Sequence, residues 1–467
     1  MDKIRLGMIG DAGCPTGFAT VTHNLAGYLQ DTGKYDVKIL AINFDGRTNE
    51  WSRKFNMWPA RTGGDFLGVG LTAEFCETNQ FDVMWIFHDF WNVPLYVGRM
   101  PKDQVGITSY YPVDSPNIKS QYMIGLARCV SLATYTKFGV DESIIATKNA
   151  WEEIKTQALA GGHHVIGGFN IDISGGFDPV NKTPYASRQI PITANSLKKY
   201  SKPEGYTVIP HGVDIEAFFP IPKKACKKFL GVSPSKFIVG YVARNQSRKR
   251  QDLTIRGFSK FAQDKEDVLL VLHGTRDDPG GWDLRQLAQY YGISDKVLLS
   301  HENFNNQTAT IEELNKIYNA FDVSVNTGGG EGWGLPVIES AATRTAQVVP
   351  DWSATKEIWE GAAELIKVAS VRHEPAKINT MQAAIDTDHF SEILTEFYED
   401  RDKLDAVAEK CLQVAHRPEY KWPVVGKQFE DFFEGAAGQL PPVVDMALDP
   451  QGVVELKKAR EAQRNKK

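Results

Sequence analysis

The sequence is poor in features that would settle a function on sight. Its five cysteines, Cys14, Cys76, Cys129, Cys226 and Cys411, are odd in number and far apart. None forms a C-x-x-C pair, which excludes a thiolate zinc knuckle and a disulfide framework. No run of about 18 apolar residues is present, so no membrane-spanning helix is expected. The apolar stretch over 4–9 is too short and broken for a secretory signal, and a reducing cytoplasm is the expected setting. The net charge of −5 argues against a surface built throughout to grip nucleic acid. Neither Gly-Lys-Ser/Thr nor G-x-G-x-x-G follows the first strand signal, so both the Walker and the dinucleotide fingerprints are missing.

What is present is globular and large. With 467 residues the chain is too long for one ordinary domain, and 42% apolar content is ample for two cores. A strand signal over 4–9, a glycine loop, a helical pattern over 20–29 and a strand over 37–42 form a β-loop-α-β unit typical of a parallel sheet. Further strands are predicted at 83–87, 105–108, 129–133 and 206–209. The alternation restarts near residue 215, with strands at 237–242, 268–273, 297–299 and 323–325. Helices are predicted at 252–261, 312–320 and 336–342, with another over 152–160. The glycine-rich stretch 161–187 reads as a long loop, and the Lys- and Arg-rich end, 449–467, as a solvated tail.

Chemistry concentrates in one stretch, Gly328-Gly329-Gly330-Glu331-Gly332-Trp333-Gly334-Leu335-Pro336-Val337-Ile338-Glu339. A strand ends, glycines follow, and a helix opens at Leu335 or Pro336. Glycines allow close ligand approach, and a helix N-terminus favours an anion. This pattern reads as a phosphate site with two carboxylates beside it. Arg244 and Lys249 follow another strand, five positions apart, and could stabilise charge on a departing diphosphate. Gly17 closes the first glycine loop. His88 and Asp114 follow two N-terminal strands, where ligands bind in open α/β sheets. Either could orient a substrate or handle a proton, or be a satisfied polar residue. The adjacent His163 and His164 cannot easily share one metal ion. Lys223, Lys224, Lys227 and Lys228 read as a solvated helix face, or as a basic lip for a polyanion.

Taken together, these stretches resemble the large family of retaining nucleotide-sugar glycosyltransferases with two facing Rossmann-like domains, the GT-B architecture. Glu331 and Glu339 match its Glu-x7-Glu motif. Ile209-Pro210-His211-Gly212-Val213-Asp214 resembles its interdomain crossing, Gly240-Tyr241-Val242-Ala243-Arg244 with Lys249 its Arg/Lys pair, and Asp11 through Phe18 its N-terminal glycine loop. The start of the chain also looks like enzymes carried by bacteriophages. Trp333 replaces the usual phenylalanine.

The resemblance implies an α/β fold with parallel sheets and an interdomain cleft. It places an acceptor-side domain at 1–213 (with an insert at 141–205), a donor-binding domain at 214–415, a segment crossing back at 416–440 and a tail at 441–467. It gives Glu331 the hydroxyls of the donor sugar and Glu339 those of the ribose. The amides around Gly332, Trp333, Gly334 and Leu335 would touch sugar and phosphate, and Arg244 and Lys249 the diphosphate. The donor would be UDP- or GDP-linked and no metal would be needed, since no Asp-x-Asp stands where a metal-dependent enzyme of the other architecture uses it. The acceptor stays open between a glycan or small glycoside and a hydroxymethylated base in DNA. A sugar-nucleotide epimerase and an inert sugar- or nucleic-acid-binding protein remain alternatives on the same fold.

Overall fold

The computed structural model describes residues 2–61, 64–101, 103–159, 194–274, 280–300, 309–374, 378 and 380–441. The first half builds a seven-stranded parallel sheet from β1 (Ile4–Asp11), β2 (Tyr35–Ile42), β3 (Asn56–Pro59), β4 (Val83–Phe87), β5 (Ile107–Tyr110), β6 (Ser131–Thr134) and β7 (Tyr206–Val208). Its order is β3-β2-β1-β4-β5-β6-β7. The second half builds a six-stranded parallel sheet from β8 (Phe237–Val242), β9 (Val268–His273), β10 (Val297–Leu299), β11 (Val323–Val325), β12 (Ala346–Pro350) and β13 (Glu364–Ile366). Here the order is β10-β9-β8-β11-β12-β13. An antiparallel hairpin, β14 (Val368–His373) and β15 (Met381–Ile385), completes the strands.

Both sheets reverse winding direction at their centre. In the first, the chain runs outward from β1 to β3, then restarts beside β1 with β4. In the second it runs from β8 to β10 and restarts beside β8 with β11. Such reversals splay neighbouring crossovers apart and leave a crevice beyond the C-terminal strand ends. The loops after β1, β4, β8 and β11 carry the glycine loop of Gly17, the His88 segment, the Arg244–Lys249 pair and Glu331.

Continuous apolar runs explain the strand interiors. Every residue of β4 and β12 is buried, as strands covered on both faces require. Gly240 in β8 admits the Phe321 ring, which an added Cβ would meet at 2.2 Å. The chain crosses between the sheets at Ile209–Val213, where Val213 N–H donates to the Tyr420 carbonyl at 2.8 Å. The last described helix, Trp422–Ala436, then packs on the N-terminal helix Gly17–Asp31. Tyr28 donates to Glu430 at 2.7 Å and Lys34 to the same carboxylate at 2.6 Å. The Phe429 ring lies 5.7 Å from Trp85 and 5.0 Å from Tyr110.

Two expectations need correction. The helix placed at 152–160 is the end of a much longer one, Lys137–Leu159. Its start is capped from the other domain, because the Lys137 and Phe138 N–H groups donate to Glu357 at 2.9 and 2.6 Å. Thr136 caps it locally as well, its Oγ1 accepting the Gly139 N–H at 3.2 Å, and was the sequence signal for that end. The second concerns the lysine helix, Lys223–Phe229. Lys227 is buried and donates to Asp322 at 2.6 Å, while Lys223 lies 3.7 Å from that carboxylate. Asp322 precedes β11, so the helix sits at the end of the sheet opposite the glycine loop. Lys223 and Lys227 hold Asp322, Lys224 and Lys228 are exposed as a solvated face would have them, and the helix forms no lip at the cleft. The loop 161–187 with His163 and His164, and the tail from 442 onward, lie outside the described residues.

Candidate functional site

Glu331 stands at the centre of the site. It follows β11 in a loop whose residues are nearly all buried, with Glu331 itself 5% exposed. Gly334 adopts φ +86, a left-handed turn that suits glycine, and directly precedes the helix Leu335–Ala342, with Pro336 in its first turn. Lys249 Nζ donates to Glu331 Oε1 at 2.5 Å, and Asn326 reaches the same oxygen at 3.3 Å. Arg248 reaches Oε2 at 3.3 Å. Burial works to raise the Glu331 pKa, but the two cations outweigh it and bring it to about 2. Lys249 is drawn below its ordinary value, since burial outweighs the attraction of Glu331. Glu331 is thus a fixed carboxylate facing a fixed ammonium.

Arg248 joins the two domains. It forms an ion pair with Asp114 Oδ2 at 3.2 Å and donates to Glu331 and to the Gly330 carbonyl. Burial disfavours its charge, but Asp114, Glu331 and Asp89 overcome this and raise its pKa. Asp114 follows β5 and lies against the glycine loop. A Cβ on Gly330 would come within 2.1 Å of Ser115 Oγ and 2.3 Å of the Asp114 carbonyl, and one on Gly332 within 3.0 Å of Asp114 Oδ1. Only glycine at 330 and 332 lets the loop press this close.

Other candidates fall around the same crevice. A Cβ on Gly17 would touch Leu335 Cδ1 at 3.3 Å, so the N-terminal glycine loop meets the start of the second-domain helix. Thr16 caps its own helix by accepting from Ala19 N–H and donates to Asp11 at 2.6 Å. Arg244 follows β8, and its charge bears on Cys14 in the opposing loop. Glu339 lies one turn into its helix, where Tyr318 donates to it at 2.8 Å. Burial pushes the Glu339 carboxyl up to about 7, with Tyr318 partly opposing. His88 follows β4 and is held neutral, its pKa lowered to about 4 by burial.

The Trp333 side chain does not line the loop's open side. It is 4% exposed, edge-on to Tyr420 at 5.0 Å and to His211 at 5.8 Å. The indole therefore anchors the glycine loop to the crossing segments. His211 is buried beside Tyr110, and burial lowers its pKa to about 3. Among the described residues no group of three or more His, Cys, Asp and Glu is arranged to hold a metal ion, and no helix is long and apolar enough to cross a membrane.

Sequence reasoning missed two members of this cluster. Arg248 reads as a solvated neighbour of Lys249, yet it bridges the domains. Asp89, beside His88, feels both Asp114 and Arg248; burial first, then Asp114, push its carboxyl up to about 7. Its position at the end of a buried strand was the available signal.

Residues 223–379 match the family described as Glycosyl transferases group 1. The match takes in Arg244, Lys249 and the loop from Gly328 through Glu339. A D-inositol 3-phosphate glycosyltransferase of Segniliparus rotundus is 29% identical over 161 residues, 34% of this chain and 34% of that one. A lipopolysaccharide core biosynthesis mannosyltransferase of Rhizobium meliloti is 29% identical over 162 residues, 34% of this chain and 44% of that one. The matched stretch spans less than half the length of either relative. Sucrose-phosphate synthase from Thermosynechococcus elongatus superposes with TM-score 0.62 at 12% identity, over 93% of this chain and 99% of that one. The fold is that of GT-B glycosyltransferases. Anabaena HepE, solved in complex with UDP and glucose, gives TM-score 0.58 at 14% identity, over 92% of this chain and 100% of that one.

Proposed function

We propose that this protein is a retaining glycosyltransferase that moves a sugar from a nucleotide-diphosphate donor to a hydroxyl acceptor. The carrying observation is the meeting of Glu331, Lys249 and Arg248 at the reversal point of the second sheet, directly opposite Asp114 of the first. Group 1 similarity over this stretch and the HepE likeness support a nucleotide-sugar donor.

In this reading Lys249 and Arg244 face the diphosphate. Negative charge grows there as the glycosidic bond breaks, and fixed cations stabilise it without reorganising. Glu331 accepts hydroxyls of the donor sugar, and Glu339 accepts those of the ribose. The amides of Gly332, Trp333, Gly334 and Leu335 and the loop at Gly17 complete the cradle. No protein nucleophile is assigned, so the acceptor attacks from the face the diphosphate leaves, and a phosphate oxygen receives its proton. The two cations supply the charge that a metal would otherwise supply. Asp114 and His88 serve the acceptor side.

The test is hydrolysis of UDP- and GDP-linked sugars, followed by transfer trials with common glycans and with DNA containing hydroxymethylated bases. Transfer with retained anomeric configuration supports the reading, and an isomerised donor formed without any acceptor defeats it. If DNA is the acceptor, activity falls steeply with salt.

A further inference from the structure

We infer that Asp89 is the acceptor-binding carboxyl of the N-terminal domain, taking a hydrogen bond from a hydroxyl of an uncharged acceptor. This rests on the transferase reading above.

Three polar side chains stand at the C-terminal ends of β4 and β5: His88, Asp89 and Asp114. Two of them are committed. Asp114 is held by Arg248 at 3.2 Å. His88 Nδ1 accepts the Asp89 backbone N–H at 2.7 Å and lies 3.1 Å from Asn92 Nδ2. A backbone N–H can only donate, so Nδ1 carries no proton, and the neutral ring has its proton on Nε2. His88 thus offers a donor, Nε2–H, and has no free nitrogen to act as a base.

Asp89 is placed differently. Its Oδ2 lies 3.7 Å from His88 Nδ1, which has no proton to give it. Among the described residues no donor reaches this carboxylate, although its side chain is only 27% exposed. A part-buried acceptor without a donor is costly, and a substrate hydroxyl supplies what is missing. The Ser115 hydroxyl, next to Asp114 in the chain and on a residue 3% exposed, is also without a partner and lies against Gly330. A substrate hydroxyl can give its proton to Asp89, which has no donor of its own.

Charge then selects the acceptor class. Asp89 and Asp114 are both acids, and Arg248 is already engaged by Asp114 and Glu331. A phosphate beside the reacting hydroxyl would meet two carboxylates with no spare cation between them. A neutral hydroxylated ring, such as an unphosphorylated sugar, meets no such opposition.

The experiment compares transfer to methyl α-glucoside, maltose and methyl glucoside 6-phosphate by the wild-type chain and by Asp89→Asn. The donor is the one hydrolysed fastest, and UDP and GDP affinities are measured by calorimetry alongside. Asp89→Asn is expected to raise the KM of the neutral acceptors roughly tenfold while nucleotide affinity stays within about twofold. The wild-type chain is expected to use the neutral acceptors better than the phosphorylated one. The inference is overturned by an unchanged acceptor KM in the variant, or by equal or better use of the phosphorylated acceptor. Failure to transfer to any of the three by a chain that binds nucleotide overturns it as well. A wild-type chain that binds neither UDP nor GDP refutes the transferase reading itself, and this inference with it.

Discussion

A buried carboxylate is unfavourable by itself, and so is a buried ammonium; Glu331 and Lys249 are tolerable only together. Their pairing makes each a rigid part of the other's surroundings, so in the proposed reading a donor sugar would find its partners already aimed. Glu331→Gln keeps the shape and removes the charge. It is expected to lower transfer by about 100-fold, the usual cost of one preorganised electrostatic partner, in steady-state assays. Glu339 gives a pH signature. Its folded pKa of about 7 lies above its ordinary 4.5, so its contribution to stability is present at pH below 4.5 and is lost as pH rises through 7. Glu339→Gln should therefore raise the melting temperature relative to wild type at pH 8, and change it little at pH 4. If ionised Glu339 accepts ribose hydroxyls, as proposed, UDP affinity should strengthen as pH rises through 7 in the wild type and stay flat in the variant; calorimetry at pH 6 and pH 8 checks both. The positions of the glycine loop, Arg244, Lys249 and both glutamates beyond the strand ends were legible because they lie within short ordered motifs. Arg248 and Asp89 were not, since a charge's meaning depends on a partner that folding brings from the other domain.

At the scale of elements, the strands were read well in the apolar runs of β4, β8 and β9, but β12, buried throughout, was not predicted. Short strands such as β3, and the start of the helix Lys137–Leu159, were not. Gly139 in that helix's first turn resembles a breaker, but it is there because a Cβ would meet Thr134 Oγ1 at 2.6 Å. Beside the local cap Thr136, Glu357 on the helix Ser353–Trp359 of the second domain accepts the first two N–H groups. A carboxylate at a helix N-terminus satisfies free N–H groups and opposes the dipole. Glu357→Ala should cost about 1 kcal/mol in chemical denaturation, a typical cap value, with Glu357→Gln intermediate. Equal stability of all three chains would show that this contact carries no weight. The lysine helix Lys223–Phe229 teaches the same lesson in reverse: a row of four lysines looked solvated until Asp322 was found beneath two of them.

For the whole molecule, two winding reversals face one another, and the chain bridges them at Val213 and again at the helix Trp422–Ala436. The GT-B architecture was therefore legible from the order of motifs, whereas the closeness of approach was not. Gly330 lies against Asp114 and Ser115, so the domains meet at the site itself. Gly330→Ala adds one methyl where there is no room. It should force the domains apart, seen as a larger radius of gyration by small-angle scattering, and lower transfer by about tenfold. Nucleotide affinity, which in the proposed reading depends on the second domain, should change little.

The most direct measurement is calorimetric titration of UDP and GDP into the wild-type chain and into Arg244→Ala and Lys249→Ala. Binding of one nucleotide by the wild type, weakened by about tenfold or more in each variant, is the outcome required if these cations face a diphosphate. Absence of binding by the wild type, or equal affinity in all three chains, would contradict it.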